Sequence, residues 1–282
     1  MKLYHVDVFS SRPMTGNGLT VVFPDREPGI DDLLNITREL KQFETIFIWP
    51  KNNSGEYRAR IFTVDEELPF AGHPVLGAAA VLHRLAAPEN DKFKVTLEIQ
   101  GRPCSVESVK NGDSFTARMD QGPPSFISLP GKEEYTEIAE RLNIPHEYID
   151  SSLPVETVST GLPYLIVPLR EGIETAEIKG PGFEDFLNKF GAKFVYVFHT
   201  STLECRTWDN SGITEDVATG SAAGPLCAYL VNHGLKKTGK AITLSQGKFT
   251  GRPSVIRGMV KNNGHVFIEG EVTFFGEGEI FV

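Results

Sequence analysis

The sequence predicts an α+β protein of two pseudo-symmetric domains, each a β-barrel wrapped around a central apolar α-helix. Three observations carry this expectation. The stretch Leu68-Pro-Phe-Ala-Gly-His-Pro-Val-Leu-Gly-Ala-Ala-Ala-Val-Leu82 runs from a loop into a helix with no polar residue between Val75 and Leu82. A helix that is apolar all round is buried on every side, and Gly77 with Ala78, Ala79 and Ala80 lets neighbouring backbone come close. Second, Thr219-Gly-Ser-Ala-Ala-Gly-Pro-Leu-Cys-Ala-Tyr-Leu230 repeats the pattern: Gly72 matches Gly220, Ala80 matches Ala228 and Leu82 matches Leu230, all at an offset of 148 residues. A repeat at about half the chain length implies two similar domains rather than a solenoid. Third, each helix lies among several strand-like segments, enough to close around it.

The lead-ins repeat as well. Arg60-Ile-Phe-Thr63 precedes the first helix and Arg206-Thr-Trp-Asp209 the second. Pro74 falls in a first helical turn, where its missing N–H is no loss. The expected domains are 1–122 and 123–274, with 275–282 as a candidate return to the first. At 282 residues two domains of ordinary size fit.

Taken in order, Lys2 to Phe9 and Leu19 to Phe23 alternate as strands around a tight loop at Gly16-Asn17-Gly18. Ile30 to Leu40 has helical spacing, with Asp31 and Asp32 in the favourable first turn. Strands are expected at Glu44–Trp49, Tyr57–Thr63, Phe93–Gln100, Cys104–Val109 and Ser114–Met119. Gln121 to Gly131, rich in Pro, Ser and Gly, reads as a linker, and Glu133 to Leu142 as an exposed helix. Beyond it, strands at Pro154–Ser159, Tyr164–Pro168, Lys193–Phe198 and Leu203–Trp208, a helix at Phe183–Phe190 and short terminal strands complete the second half.

Composition excludes several functions. A net charge of −9 argues against a nucleic-acid partner, though helix N-termini can still bind a small anion. Three scattered cysteines read as reduced thiols of a cytoplasmic protein. The first residues lack a signal peptide's apolar core, and no apolar run reaches the roughly 18 residues of a membrane span. The seven histidines show no metal-ligand spacing, so no metal is expected, and no phosphate-loop or dinucleotide fingerprint is present.

Candidate chemistry gathers at few places. Both central helices begin at a glycine followed by His73 or Ser221, and their free N–H groups and macrodipoles form partly positive ends. If both ends reach the cleft between domains they cradle a carboxylate or enolate; otherwise the glycines merely cap buried helices. Glu44 opens the apolar strand Ile46-Phe47-Ile48-Trp49, where a raised pKa would suit general acid/base work. On context alone a solvated strand-end glutamate is the stronger reading. Asp216, before the second helix, is either a charge partner for that helix or a second acid/base group. Ser221, His73 and Asp216 as a nucleophilic triad is the weakest alternative, since Thr219-Gly-Ser-Ala-Ala is not a Gly-x-Ser-x-Gly elbow.

These residues carry a resemblance over nearly the whole length. Asp7-Val-Phe with Gly16-Asn17, Glu44-Thr-x-Phe47, Arg60-x-Phe-Thr63, Glu67-Leu-Pro-Phe-Ala-Gly-His-Pro-x-Leu-Gly77, Ser159-Thr-Gly-x-Pro163, Glu215-Asp-x-Ala-Thr-Gly-Ser-Ala-Ala223 and Gln246-Gly recur together. The chain resembles the phenazine-biosynthesis-like (PhzF-like) isomerases, with a diaminopimelate-epimerase-like fold. The resemblance implies a cytoplasmic, cofactor-independent homodimer that shifts a proton on a small carboxylate-bearing substrate in the interdomain cleft. It implies Glu44 as general acid/base, reversing the order above, with His73 and Asp216 assisting and Asn17, Gly72, Gly220 and Ser221 binding substrate. The related racemases place a cysteine at the start of each central helix; here Ala71 and Thr219 stand there, which argues against two-thiol chemistry. Departures at Lys41-Gln42-Phe43, Val64, Val217 and Asp209-Asn210-Ser211 bear on the choice of substrate. The alternative is a silent binding protein of the same fold; a cysteine-free epimerase and a Ser221 hydrolase are weaker.

Overall fold

The computed structural model describes residues 1–51 and 55–282. The elements run β1 (Lys2–Val8), β2 (Asn17–Phe23), α1 (Ile30–Leu40), β3 (Glu44–Pro50), β4 (Glu56–Phe62), β5 (Glu67–Leu68), α2 (Gly72–Ala86), β6 (Lys92–Ile99), β7 (Arg102–Asn111) and β8 (Ser114–Asp120). They continue with β9 (Ser125–Ser128), α3 (Tyr135–Arg141), β10 (Glu156–Ser159), β11 (Pro163–Leu169), α4 (Phe183–Asn188), β12 (Phe194–His199) and β13 (Glu204–Arg206). The last are α5 (Gly220–Asn232), β14 (Ile242–Gln246), β15 (Ser254–Val260) and β16 (Val266–Glu279). The chain divides into two compact units, 1–120 with 269–282, and 121–268.

In the first unit the strand order β1-β2-β3-β4-β6-β7-β8-β16 returns to β1 and closes a ring of eight strands. The closing pair is antiparallel, from Lys2 against Glu279 to Val8 against Val272. Helix α2 lies inside, touching β1, β2, β3, β6, β7 and β8, with every residue from Gly72 to His83 buried. The apolar run in the sequence is apolar because this helix has no solvent face. Its only buried imidazole outside the first turn, His83, is satisfied by Ser108 Oγ at 3.0 Å and the Asn90 carbonyl at 2.9 Å. Helix α1 covers the outside of the ring, packing Leu33 and Ile36 on Val22, Phe47, Trp49 and Phe62.

Gly77 marks the closest approach of α2 to the strands. A Cβ there would drive into Leu19 Cδ2 and stand 3.0 Å from Val8 Cγ2. Gly77→Ala is therefore expected to lower stability by about 1–3 kcal/mol, despite alanine's better helix propensity. Denaturant unfolding checks this; an unchanged midpoint would mean that β2 shifts without strain.

The second unit repeats the strand directions, but its order β16-β15-β14-β13-β12-β11-β10-β9 has no closing strand pair among the described residues, so the barrel expected in this half is not a closed ring. Antiparallel β1–β2, parallel β2–β3, antiparallel β3–β4 and parallel β4–β6 in the first unit correspond to β10–β11, β11–β12, β12–β13 and β13–β14 in the second, with the same directions. Helices α1 and α4 make the first parallel crossover of each unit, and α2 and α5 the second. Gln121 and Gly122 exchange backbone hydrogen bonds of 2.9 Å with Val266, drawing the start of this unit alongside β16. Helix α5 packs on β10, β11 and β15 and is buried from Ala222 to Leu230. Pro225 sits in its second turn and removes the N–H that would have paired the Ser221 carbonyl.

Four local expectations change. The segment 121–131 is not a free linker: β9 lies within it and pairs with β10. Residues 133–142 begin as a 3-10 turn, Lys132–Glu134, before α3, and the helix is not fully exposed. Tyr135, Ile138 and Ala139 enter a core with Leu165, Val167, Phe183, Phe186 and Val195. Asn17 and Gly18 belong to β2 rather than a loop, and the terminal strand β16 is long, at 14 residues. No helix among the described residues is long and apolar enough to cross a membrane.

Candidate active site

Three of the expected site residues meet in the first unit. Glu44 opens β3, held by parallel pairing against Leu19 of β2. Asn17 opens β2, and His73 follows Gly72 in the first turn of α2. The Glu44 carboxylate Oε2 lies 3.2 Å from His73 Nδ1, and Asn17 Nδ2 lies 3.4 Å from the same nitrogen. All three side chains are buried, Glu44 at 6 % exposure, which removes the solvated strand-end reading of this residue.

Burial holds the His73 pKa down to about 3, so the ring is neutral at physiological pH. A neutral imidazole carries one N–H. With the proton on Nδ1 the ring donates to the Glu44 carboxylate; with Glu44 protonated, Nδ1 accepts. The two arrangements differ by one proton, the one Glu44 carries in the second, with the ring neutral in both. His73 Nε2 is buried and has no hydrogen-bond partner among the described residues, which is costly unless a ligand supplies one. Asp7 is also buried here, accepting 2.7 Å from the Met14 N–H and fixing the loop that delivers Asn17.

The two helix starts share one chemistry. Their N-caps are Ala71 and Thr219, and neither side chain caps the first turn. No acidic residue lies in either first turn. Each end keeps N–H groups outside the helical ladder, together with the positive end of the dipole.

In the second unit, Asp216, Thr219, Gly220 and Ser221 lie along one segment entering α5. Thr219 Oγ1 donates to Asp216 Oδ2 at 2.5 Å, the reason it does not cap the helix. Ser221 Oγ pairs with the Tyr164 hydroxyl at 2.8 Å. The segment is anchored by Arg206, whose Nε and Nη2 grip the Glu215 carboxylate at 2.8 and 2.7 Å. Nη1 meanwhile donates to the carbonyls of Ile173 and Ala176. The first unit has the same device: Arg60 grips Glu67 at 2.9 and 2.6 Å, just ahead of α2.

Burial holds the three thiols in their neutral form. Burial pushes Cys104 up to about 11, Cys227 to about 12 and Cys205 higher still. None supplies a thiolate near neutrality. Among the described residues no group of three or more His, Cys, Asp or Glu converges as a metal site would. Sequence reasoning missed Tyr164 and Thr219 as site residues. Gln246 was noticed only as part of a motif, without a role.

The fold is shared with solved structures of racemase-like and epimerase-like proteins. A probable proline racemase from Agrobacterium radiobacter matches over 100% of this chain and 93% of its own, with a TM-score of 0.71 at 13% identity. Within that fold the chain belongs to the family of phenazine biosynthesis-like proteins, whose model matches residues 6–278. The trans-2,3-dihydro-3-hydroxyanthranilate isomerase of Pseudomonas chlororaphis is 32% identical, over 98% of this chain and 97% of its own. A predicted epimerase from Pseudomonas aeruginosa is 41% identical, with a TM-score of 0.94 over 100% of this chain and 99% of its own. The protein is an isomerase of this family.

Proposed function

We propose that the protein moves a proton between carbons of a small carboxylate-bearing substrate, with Glu44 as the single general acid/base. The observation that carries this reading is the buried Glu44–His73 pair at 3.2 Å, at the first turn of α2. Glu44 as carboxylate removes a proton from an acidic C–H of the substrate. The electron pair left behind delocalises toward the carboxylate and the adjoining double bond. Glu44, now protonated, exchanges its carboxyl proton with solvent and delivers a proton to a different carbon, so the substrate's proton count is unchanged. His73 holds the Glu44 carboxylate in place, and its Nε2 is the candidate contact for a substrate polar group. Asp216 assists, while Asn17, Gly72, Gly220 and Ser221 bind the substrate's polar ends. The N–H groups of the helix starts favour the developing anion, an effect that grows where water is excluded.

The first substrate to offer is trans-2,3-dihydro-3-hydroxyanthranilate, the compound named for the Pseudomonas relatives. In D2O, followed by NMR, the expected result is a moved double bond with deuterium at the newly protonated carbon. Absence of both, with this compound and with a panel of small cyclic-diene carboxylates, would overturn the reading.

A further inference from the structure

The motif Gln246-Gly247 lies 27 to 30 residues beyond the segment it serves, at the end of β14. Gln246 is buried, and its amide makes four hydrogen bonds. Nε2 donates to the Asp216 carbonyl at 2.9 Å and to Thr219 Oγ1 at 3.0 Å. Oε1 accepts from the Thr219 N–H at 3.2 Å and from the Tyr196 hydroxyl at 2.9 Å. Two of the partners are backbone groups with fixed roles: a carbonyl only accepts and an N–H only donates. The amide therefore has one orientation, with nitrogen toward the threonine hydroxyl. Thr219 Oγ1 has a single proton. Having accepted from Gln246, it directs that proton to Asp216 Oδ2, at 2.5 Å. Gly247 lets β14 come this close: a Cβ there would run into the Arg252 carbonyl and stand 2.6 Å from the Val217 carbonyl.

We propose that Gln246 and Thr219 are positioning residues for Asp216, a one-way hydrogen-bond chain that fixes the orientation of its carboxylate and keeps Oδ2 unprotonated. The proposal rests on the reading of Asp216 as an assisting group. It assigns a purpose to a threonine whose hydroxyl leaves the helix uncapped. An N-cap threonine commonly satisfies the first turn; here the hydroxyl is spent on the carboxylate, and the first turn keeps its N–H groups for a ligand.

Thr219→Val keeps the shape and deletes the hydroxyl, while Thr219→Ser restores it. With substrate, Thr219→Val should lower kcat about ten- to a hundredfold, the range implied by losing a hydrogen bond to a charged group. KM should change little, and Thr219→Ser should recover most of the rate. Without substrate, the 13C resonance of the Asp216 carboxyl should move in Thr219→Val and return toward its wild-type position in Thr219→Ser. A silent wild-type enzyme would count against the proposed reaction, and the carboxyl resonance would still decide the chain. A resonance unmoved by Thr219→Val, or a serine variant as impaired as the valine, would overturn it.

Discussion

Glu44→Gln is expected to lower kcat by about 10²–10⁴-fold, the usual contribution of a positioned acid/base. The substitution is nearly isosteric. Its amide can still meet His73 Nδ1, now 3.2 Å from the carboxylate, and Asn17 is untouched. What disappears is the capacity to take a proton from carbon and hold it. Folding should therefore change little, and a melting temperature within a few degrees of wild type is expected. Both must be measured on one preparation, by steady-state assay and by thermal unfolding. A glutamine variant that turns over within threefold of wild type would move the proton-carrying role away from Glu44. A variant that loses activity and melts early would show instead that the buried pair is structural.

The second large effect concerns folding. Arg206 and Glu215 are almost fully buried, with side-chain exposures of 9% and 13%. A buried guanidinium that loses its carboxylate keeps only its backbone carbonyl partners and an unpaired charge, which costs about 3–5 kcal/mol. Glu215→Ala should therefore unfold well before wild type, by roughly 10 °C on the usual scaling for chains of this size. Glu67→Ala removes the equivalent partner of Arg60, where the side chains are more exposed at 22% and 18%, and should cost less. Replacing both members together, as Arg206→Met with Glu215→Leu, should recover much of the stability, because the penalty is the orphaned charge. Equal melting temperatures for Glu215→Ala and Glu67→Ala would refute this ranking.

Parts of this architecture were legible in the sequence and parts were not, for physical reasons. Both central helices could be read because burial on all sides excludes polar residues, and Val75 to Leu82 records that constraint directly. The start of β3 at Glu44 was legible because apolar strand residues follow it at once. The burial of Glu44 was not, since it depends on α2 arriving from 29 positions away to bring His73 within reach. Strand β9 hid among prolines, serines and glycines because its pairing with β10 sets its conformation, and local propensity does not. The work of Gln246 escaped for the same reason: its partners Asp216 and Thr219 lie a whole helix earlier in the chain. Resemblance singled out the glutamine as a match, but only coordinates reveal which atoms it holds.

The pairing of β1 with β16 has a consequence for how the molecule is made. Seven of the eight strands of the first ring are complete by Asp120, and the eighth, β16, is made only after the second unit's strands β9 to β15. Throughout the synthesis of residues 121–268, the nascent first unit carries two open sheet edges, β1 and β8, around a helix with no solvent face. Unpaired edges and exposed apolar surface are what make folding intermediates prone to association. The second unit, contiguous in sequence, can finish first. For this chain the N-terminal unit is therefore the later one to close, and chaperone demand should concentrate on it until β16 arrives.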